Sequence, residues 1–137
     1  QKINGKSIPM PTDQRWGINL HFTDYFPGTE KWKMTLKLAF ADGLPFGAPH
    51  KGLEYQDFRA PAYKRADIGM SYRAYDNEDK KKNSVIKNIW LGLDCLNLFG
   101  INNVNSYYWV TDVTNQQYAV PNYLTGRQIN CKLLFEF

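Results

Sequence analysis

The alternation of residues 127–137 constrains this chain more than any other stretch. Ile129, Cys131, Leu133, Phe135 and Phe137 occupy one parity, and Gln128, Asn130, Lys132 and Glu136 the other, with Leu134 the single exception. Side chains of a strand point alternately to opposite faces, so the pattern reads as a strand with one apolar and one polar face. About eleven residues, tilted by roughly 45°, suffice to cross a bilayer as one strand of a barrel. Soluble domains rarely end on their most apolar strand, which sharpens that expectation.

The same period recurs upstream. Trp16, Ile18, Leu20 and Phe22 alternate with Arg15, Gly17, Asn19, His21 and Thr23. After the turn signal Pro27-Gly28, the residues Trp32, Met34, Leu36, Leu38 and Phe40 alternate with Lys31, Lys33, Thr35, Lys37, Ala39 and Ala41. A third strand sets Ala66, Ile68, Met70, Tyr72 and Ala74 against Asp67, Gly69, Ser71 and Arg73. Residues 85–99 also fit a helical stripe, but Gly92 disfavours a helix interior and Ile89, Leu91, Leu93 and Cys95 keep the period of two. The expected class is therefore all-β, an antiparallel up-and-down meander of about five strands. Between them, residues 1–14 read as a loop or arm and 42–64 as a long loop rich in Gly and Pro. Residues 76–84 read as a charged turn, and 100–126 as a second long loop with a small hairpin near Asn115-Gln116-Gln117.

Connection lengths carry information of their own. The links at 25–30, 42–65, 75–85 and 100–126 run short, long, moderate, long, so the long ones belong to one edge of the meander. Outer-membrane barrels have this asymmetry. Tyr25, Phe26, Trp32, Tyr72 and Tyr75 then fall at one end of the strands, and Trp16, Phe40 and Phe99 at the other, as two aromatic belts. The polar parity mixes both signs of charge, as a hydrated lumen would. A soluble sandwich with one face in water alternates in the same way, so a small soluble β-sandwich or barrel acting as a ligand- or partner-binding module is the alternative.

Composition excludes several classes. The 137 residues suit one unit with no second large domain, and the net charge of +4, from 17 basic and 13 acidic residues, is mild. No stripe of Lys and Arg interleaved with aromatics points to nucleic acid. No run of 18 apolar residues forms a transmembrane helix, which leaves a barrel open because alternating strands give a weak hydropathy signal. Cys95 and Cys131 permit one bridge, yet both lie on apolar parities and read first as small apolar side chains. The start at Gln1, without an initiator Met or a signal peptide, suggests a processed or excised piece. His21 and His50 are too isolated for a metal site, and no nucleophile motif or phosphate-cradling loop occurs, so no cofactor and no enzymatic activity are expected. Asp67 and Asp94 suit structural pairs with Arg65, Arg73 or Arg127 better than acid–base work. Loop aromatics remain as candidate ligand contacts: Phe46, His50 and Tyr55 in one loop, Tyr107, Tyr108, Trp109 and Tyr118 in the other. The competing role for them is to pack the loops together.

Several longer words are familiar. Leu44-Pro45-Phe46-Gly47-Ala48-Pro49, the run Arg59-Ala60-Pro61-Ala62-Tyr63-Lys64-Arg65-Ala66-Asp67-Ile68-Gly69, and Asn97-Leu98-Phe99-Gly100-Ile101-Asn102-Asn103-Val104-Asn105-Ser106-Tyr107 occur in that order. With Tyr118-Ala119-Val120-Pro121-Asn122-Tyr123-Leu124-Thr125-Gly126-Arg127 and the final strand, they resemble the late barrel region of Bacteroidetes-type TonB-dependent outer-membrane receptors. The resemblance implies an outer-membrane location and a role in ligand import as the C-terminal part of a larger barrel, with no activity from this segment alone. It implies as partners the rest of the barrel and its plug, the TonB complex, the barrel-assembly machinery and outer-membrane lipid. Leu133, Phe135 and Phe137 would form the assembly signal. The plug and the TonB-contacting segment are absent from these residues, and about five strands are too few to close a receptor barrel. Such a segment alone would present two strand edges and either oligomerise or fold into a smaller compact β-structure.

Overall fold

The computed structural model describes residues 2–3, 6–7, 9–47, 58–77 and 85–137. His50, Tyr55 and most of the charged turn at 76–84 lie outside the described residues. Among the described residues eleven strands occur in chain order: β1 Lys2–Ile3, β2 Lys6–Ser7, β3 Gly17–Tyr25, β4 Trp32–Ala41, β5 Pro45–Phe46, β6 Phe58–Arg59, β7 Tyr63–Asp76, β8 Asn88–Leu96, β9 Val104–Thr111, β10 Gln117–Tyr123 and β11 Gln128–Glu136. No helix occurs among the described residues, and the class is all-β.

Five of these strands make one sheet in the order β11-β8-β7-β4-β3, so that sheet order follows chain order. β7 with β8, and β8 with β11, are antiparallel. At the two ends of the β3–β4 pair, Phe26 N donates to Trp32 O and Asp42 N donates to Trp16 O, both at 3.0 Å. The hairpin closes through Phe26-Pro27-Gly28-Thr29, with Thr29 N on Phe26 O at 3.1 Å and Gly28 at φ 81°. Pro before a residue of positive φ is a type II turn, and Gly is the residue that adopts that φ without a Cβ penalty. In a meander of this order the connections alternate between ends, as their lengths in the sequence predict.

Three stretches are more regular than the sequence suggests. The arm at 1–14 contains the β1–β2 pair, and the loop at 42–64 contains β5 paired with β6. The hairpin expected near Asn115-Gln116-Gln117 is present and takes up most of the second loop, with β9 and β10 in register from Gln117↔Thr111 to Tyr123↔Val104. Its turn is built on Asp112, whose Oδ1 accepts from Thr114 N, Thr114 Oγ1 and Gln116 N at 2.7–3.0 Å. Asn115 takes the left-handed conformation at φ 64°. Asn and Asp support such turns through side-chain bonds to nearby backbone, which weak hydrophobic periodicity does not reveal.

The described residues group into two compact units: Gln1–Ile18, Ala39–Lys64 and Asn102–Thr125 in the first, and Asn19–Leu38, Arg65–Ile101 and Gly126–Phe137 in the second. Among the described residues neither has an ordinary apolar core. Apart from Pro45, the one buried apolar side chain among the described residues is Ala66, at 5% exposure, whereas Ile129 is 67% and Leu93 53% exposed. Ile18, Leu20, Phe22, Leu91, Leu133 and Phe135 are also exposed. Burying one such side chain is worth about 1.5–3 kcal/mol, so leaving these eight half bare in water forfeits on the order of 10 kcal/mol, as much as a typical domain's stability. The face they form asks for an apolar covering.

Candidate functional site

The register places the apolar parities of β7, β8 and β11 on one side. Ile129↔Cys95↔Ile68, Cys131↔Leu93↔Met70 and Leu133↔Leu91↔Tyr72 form rows across β11, β8 and β7. Trp32 continues the last row, its ring 4.7 Å from that of Tyr72. Cys95 and Cys131 sit diagonally in neighbouring rows and are free thiols.

The opposite face lines a cavity of about 550 Å³. Its walls come from all five strands: His21 and Thr23 of β3, Lys33, Thr35 and Lys37 of β4, Asp67 and Ser71 of β7, Asp94 of β8 and Lys132 of β11. A hollow shared by both edge strands and the three between them means that the sheet curls toward its polar side. Tyr25 shares this face, with Lys33 Nζ 5.6 Å from its ring centre, so it does not join the outer aromatic belt that the sequence suggests.

Two glycines set the side-chain order on this face. Gly69 pairs with Asp94, and a Cβ at Gly69 would run into the Asp94 carboxylate. Gly92 pairs with Lys132, whose stem lies 2.6 Å from where a Gly92 Cβ would be. Each charged side chain therefore lies over the glycine of the next strand, and Lys132 Nζ reaches Asp94 Oδ2 at 2.5 Å. Asp67 Oδ1 accepts from Arg65 Nε at 2.7 Å and from the Asn97 amide at 2.8 Å. On the β3–β4 side, Thr23 Oγ1 donates to Thr35 Oγ1 at 3.3 Å and shares a 3.1 Å hydrogen bond with His21 Nε2. The expected partner of Asp67 is thus met by Arg65, while Asp94 takes Lys132 in place of an arginine.

Loop aromatics divide into two sets. Phe46 stacks on Tyr107 at 4.1 Å and 12°, and lies 5.6 Å from Phe58 and 6.5 Å from Trp109. These pack the first unit. Tyr108 and Tyr118 point to the other side of the β9–β10 hairpin with Val110 and Val120, all exposed. Leu133, Phe135 and Phe137 are exposed at the β11 edge.

One polar cluster was not legible in the sequence. Asp42, 7% exposed, accepts from Arg15 Nε at 2.5 Å and from Arg59 Nη1 at 3.1 Å, and Arg59 Nη2 reaches Asp13 Oδ2 at 3.0 Å. Gly43 lies so close to the Ala60 carbonyl that no Cβ fits there. The Arg15 hydrogen bond holds the Asp42 carboxyl below its usual range; partial burial opposes this, and the charges of both arginines reinforce it. Asn103 imitates a strand neighbour, accepting from Lys64 N at 2.9 Å and donating to Lys64 O at 2.8 Å. No sequence signal marks either, since Asp42 before Gly43 and Asn103 after Asn102 read as ordinary polar loop residues.

Searches of protein-family models, curated proteins and solved structures each find no match to this chain. No group of three or more His, Cys, Asp or Glu suited to a metal occurs among the described residues. Among the described residues no helix is long and apolar enough to cross a membrane, which says nothing about crossing by strands. What this arrangement can do therefore has to be read from its two faces: one hollow, polar and internally ion-paired, the other apolar and bare.

Proposed function

We propose that this chain is a wall segment of an outer-membrane β-barrel, part of a TonB-dependent receptor that imports a ligand. One observation carries the membrane reading: the sheet curls toward its polar face and leaves its apolar face bare on the outside. A water-soluble sandwich or barrel curls the other way, around its apolar side chains. The alternative of a small soluble binding module is disfavoured by that inversion. Strands of nine to fourteen residues are adequate for a bilayer crossing. The receptor family is supported by the sequence words quoted above.

In this role the segment performs no catalysis. The hollow face borders a hydrated lumen, where Asp94–Lys132 and Arg65–Asp67 neutralise charge across neighbouring strands or along one strand. The outer face meets lipid, and Trp32 with Tyr72 lies at the short-turn end, where interfacial aromatics belong. The free edges of β3 and β11 pair with the remaining barrel strands, a plug occupies the lumen, and Leu133, Phe135 and Phe137 engage the assembly machinery. The loop aromatics Tyr108 and Tyr118 face outward for a ligand.

The test is spin labelling along β11 in the membrane-reconstituted protein, with single cysteines from 129 to 136 and the native thiols replaced by Ser. Odd positions should be open to dissolved oxygen, and even positions to a water-soluble nickel chelate. Odd positions shielded from both reagents would mean that protein covers the apolar face, and the proposal would fail.

A further inference from the structure

Three strands break their own alternation, and the three exceptions meet. Tyr25 of β3, Trp90 of β8 and Leu134 of β11 all project from the polar face, and all line one cavity of about 350 Å³. Leu134 and Trp90 are direct cross-strand partners. A hydrated face has no use for apolar side chains singly, and their convergence from separate strands gives it a local apolar wall. We propose that this cavity is a binding site for a small organic anion with an apolar body, such as an arylalkyl carboxylate.

Charge accounting selects the anion. Among the described residues, three ionisable side chains other than tyrosine line the cavity: Lys33, Lys132 and Glu136. Lys132 is taken by Asp94 at 2.5 Å, and Glu136 Oε2 accepts from Asn88 Nδ2 at 2.7 Å. Lys33 lies over the Tyr25 ring and has no carboxylate partner among the described residues. Arg73, whose guanidinium carbon lies 5.6 Å from the centre of the Trp90 ring, is held by Asp76 at 3.2 Å and Glu30 at 3.6 Å, so the Lys33 ammonium is the group left to meet an incoming charge, beside two aromatic rings and a leucine. A carboxylate on Lys33 makes a charge-assisted hydrogen bond, about twice as strong as a neutral one, while the body of the ligand covers Trp90 and Leu134. The volume suits one ring with a short acidic tail, at the lower end of small-molecule sites. Leu133 borders the cavity as well, but the charge and the ring surfaces come from the hollow face, so the site is tested separately from what covers the outer face.

The experiment uses the full chain in an uncharged detergent, with Trp16, Trp32 and Trp109 changed to Phe so that Trp90 is the only indole. Three probes are titrated while its emission is followed: 4-phenylbutyrate, 4-phenyl-1-butanol and acetate. The acid should saturate the signal about tenfold more tightly than the alcohol, the gain expected of one charge-assisted hydrogen bond, and acetate should do nothing. Lys33→Gln should abolish the preference for the acid and leave alcohol binding as it was; Leu134→Ser should weaken both. The Trp90 indole proton resonance in the unaltered chain gives the same titrations where the triple replacement perturbs folding. Equal binding of acid and alcohol, indifference to Lys33→Gln, or no saturable response in either readout would overturn the proposal.

Discussion

Asn97 shows how much one side chain can hold. It is 3% exposed and sits at φ 51°; its Nδ2 donates to Ile101 O at 2.9 Å and its Oδ1 accepts from Ile101 N at 3.0 Å. Its own amide donates to Asp67, so it joins the turn at the end of β8 to the hollow face. Asn97→Ala removes both side-chain bonds and leaves a Cβ residue in the left-handed region, at a combined cost of about 2–4 kcal/mol. Asn97→Gly relieves the backbone and loses only the bonds, so it should fall near half of that. Denaturant unfolding of the two variants in detergent checks the order. Equal losses would mean that the backbone conformation carries no cost.

At the scale of elements, the short β5–β6 pair is held by Asp42 through Arg59, which also donates to Gly43 O at 2.8 Å and Asp13 O at 2.9 Å. The Asp42 carboxyl titrates below its ordinary value, through the Arg15 hydrogen bond first. A carboxyl with a depressed folded pKa stabilises fully above the unfolded value, near 4, and loses that contribution as pH falls through the folded one. Amide protection at Ala60, which donates to Leu44 O at 2.9 Å, should therefore stay level from neutral pH to about 4 and drop only in stronger acid. In Asp42→Asn it should be low at neutral pH already. Hydrogen exchange across the pH range measures both. Loss of protection between pH 5 and 6 in the parent chain would point to another group.

At the scale of the whole molecule, the bare apolar face and two free sheet edges dominate behaviour in solution. Each edge offers unpaired backbone groups to any other strand, and the face adds a non-directional drive to associate. Without detergent the chain should sediment as a broad distribution of oligomers, and an uncharged detergent should convert these to small, uniform particles. A single sharp monomer boundary in plain buffer would contradict the bare face.

Alternation in the sequence by itself determined the five strands of the main sheet, which residues share a face, and, through connection lengths, an up-and-down order. It could do so because strand side chains alternate regardless of partners. The helical stripe through Ile86, Ile89 and Trp90 yielded to that period, as Gly92 suggested. Only the tertiary structure decided which face is hollow, that Asp94 leans over Gly69 and Lys132 over Gly92, and that Asp42 gathers two arginines. Nor could Leu134, an isolated irregularity in the sequence, be joined there to Trp90 and Tyr25. Those relations follow from hydrogen-bond register and sheet curl between segments tens of residues apart, and period within a segment says nothing about either.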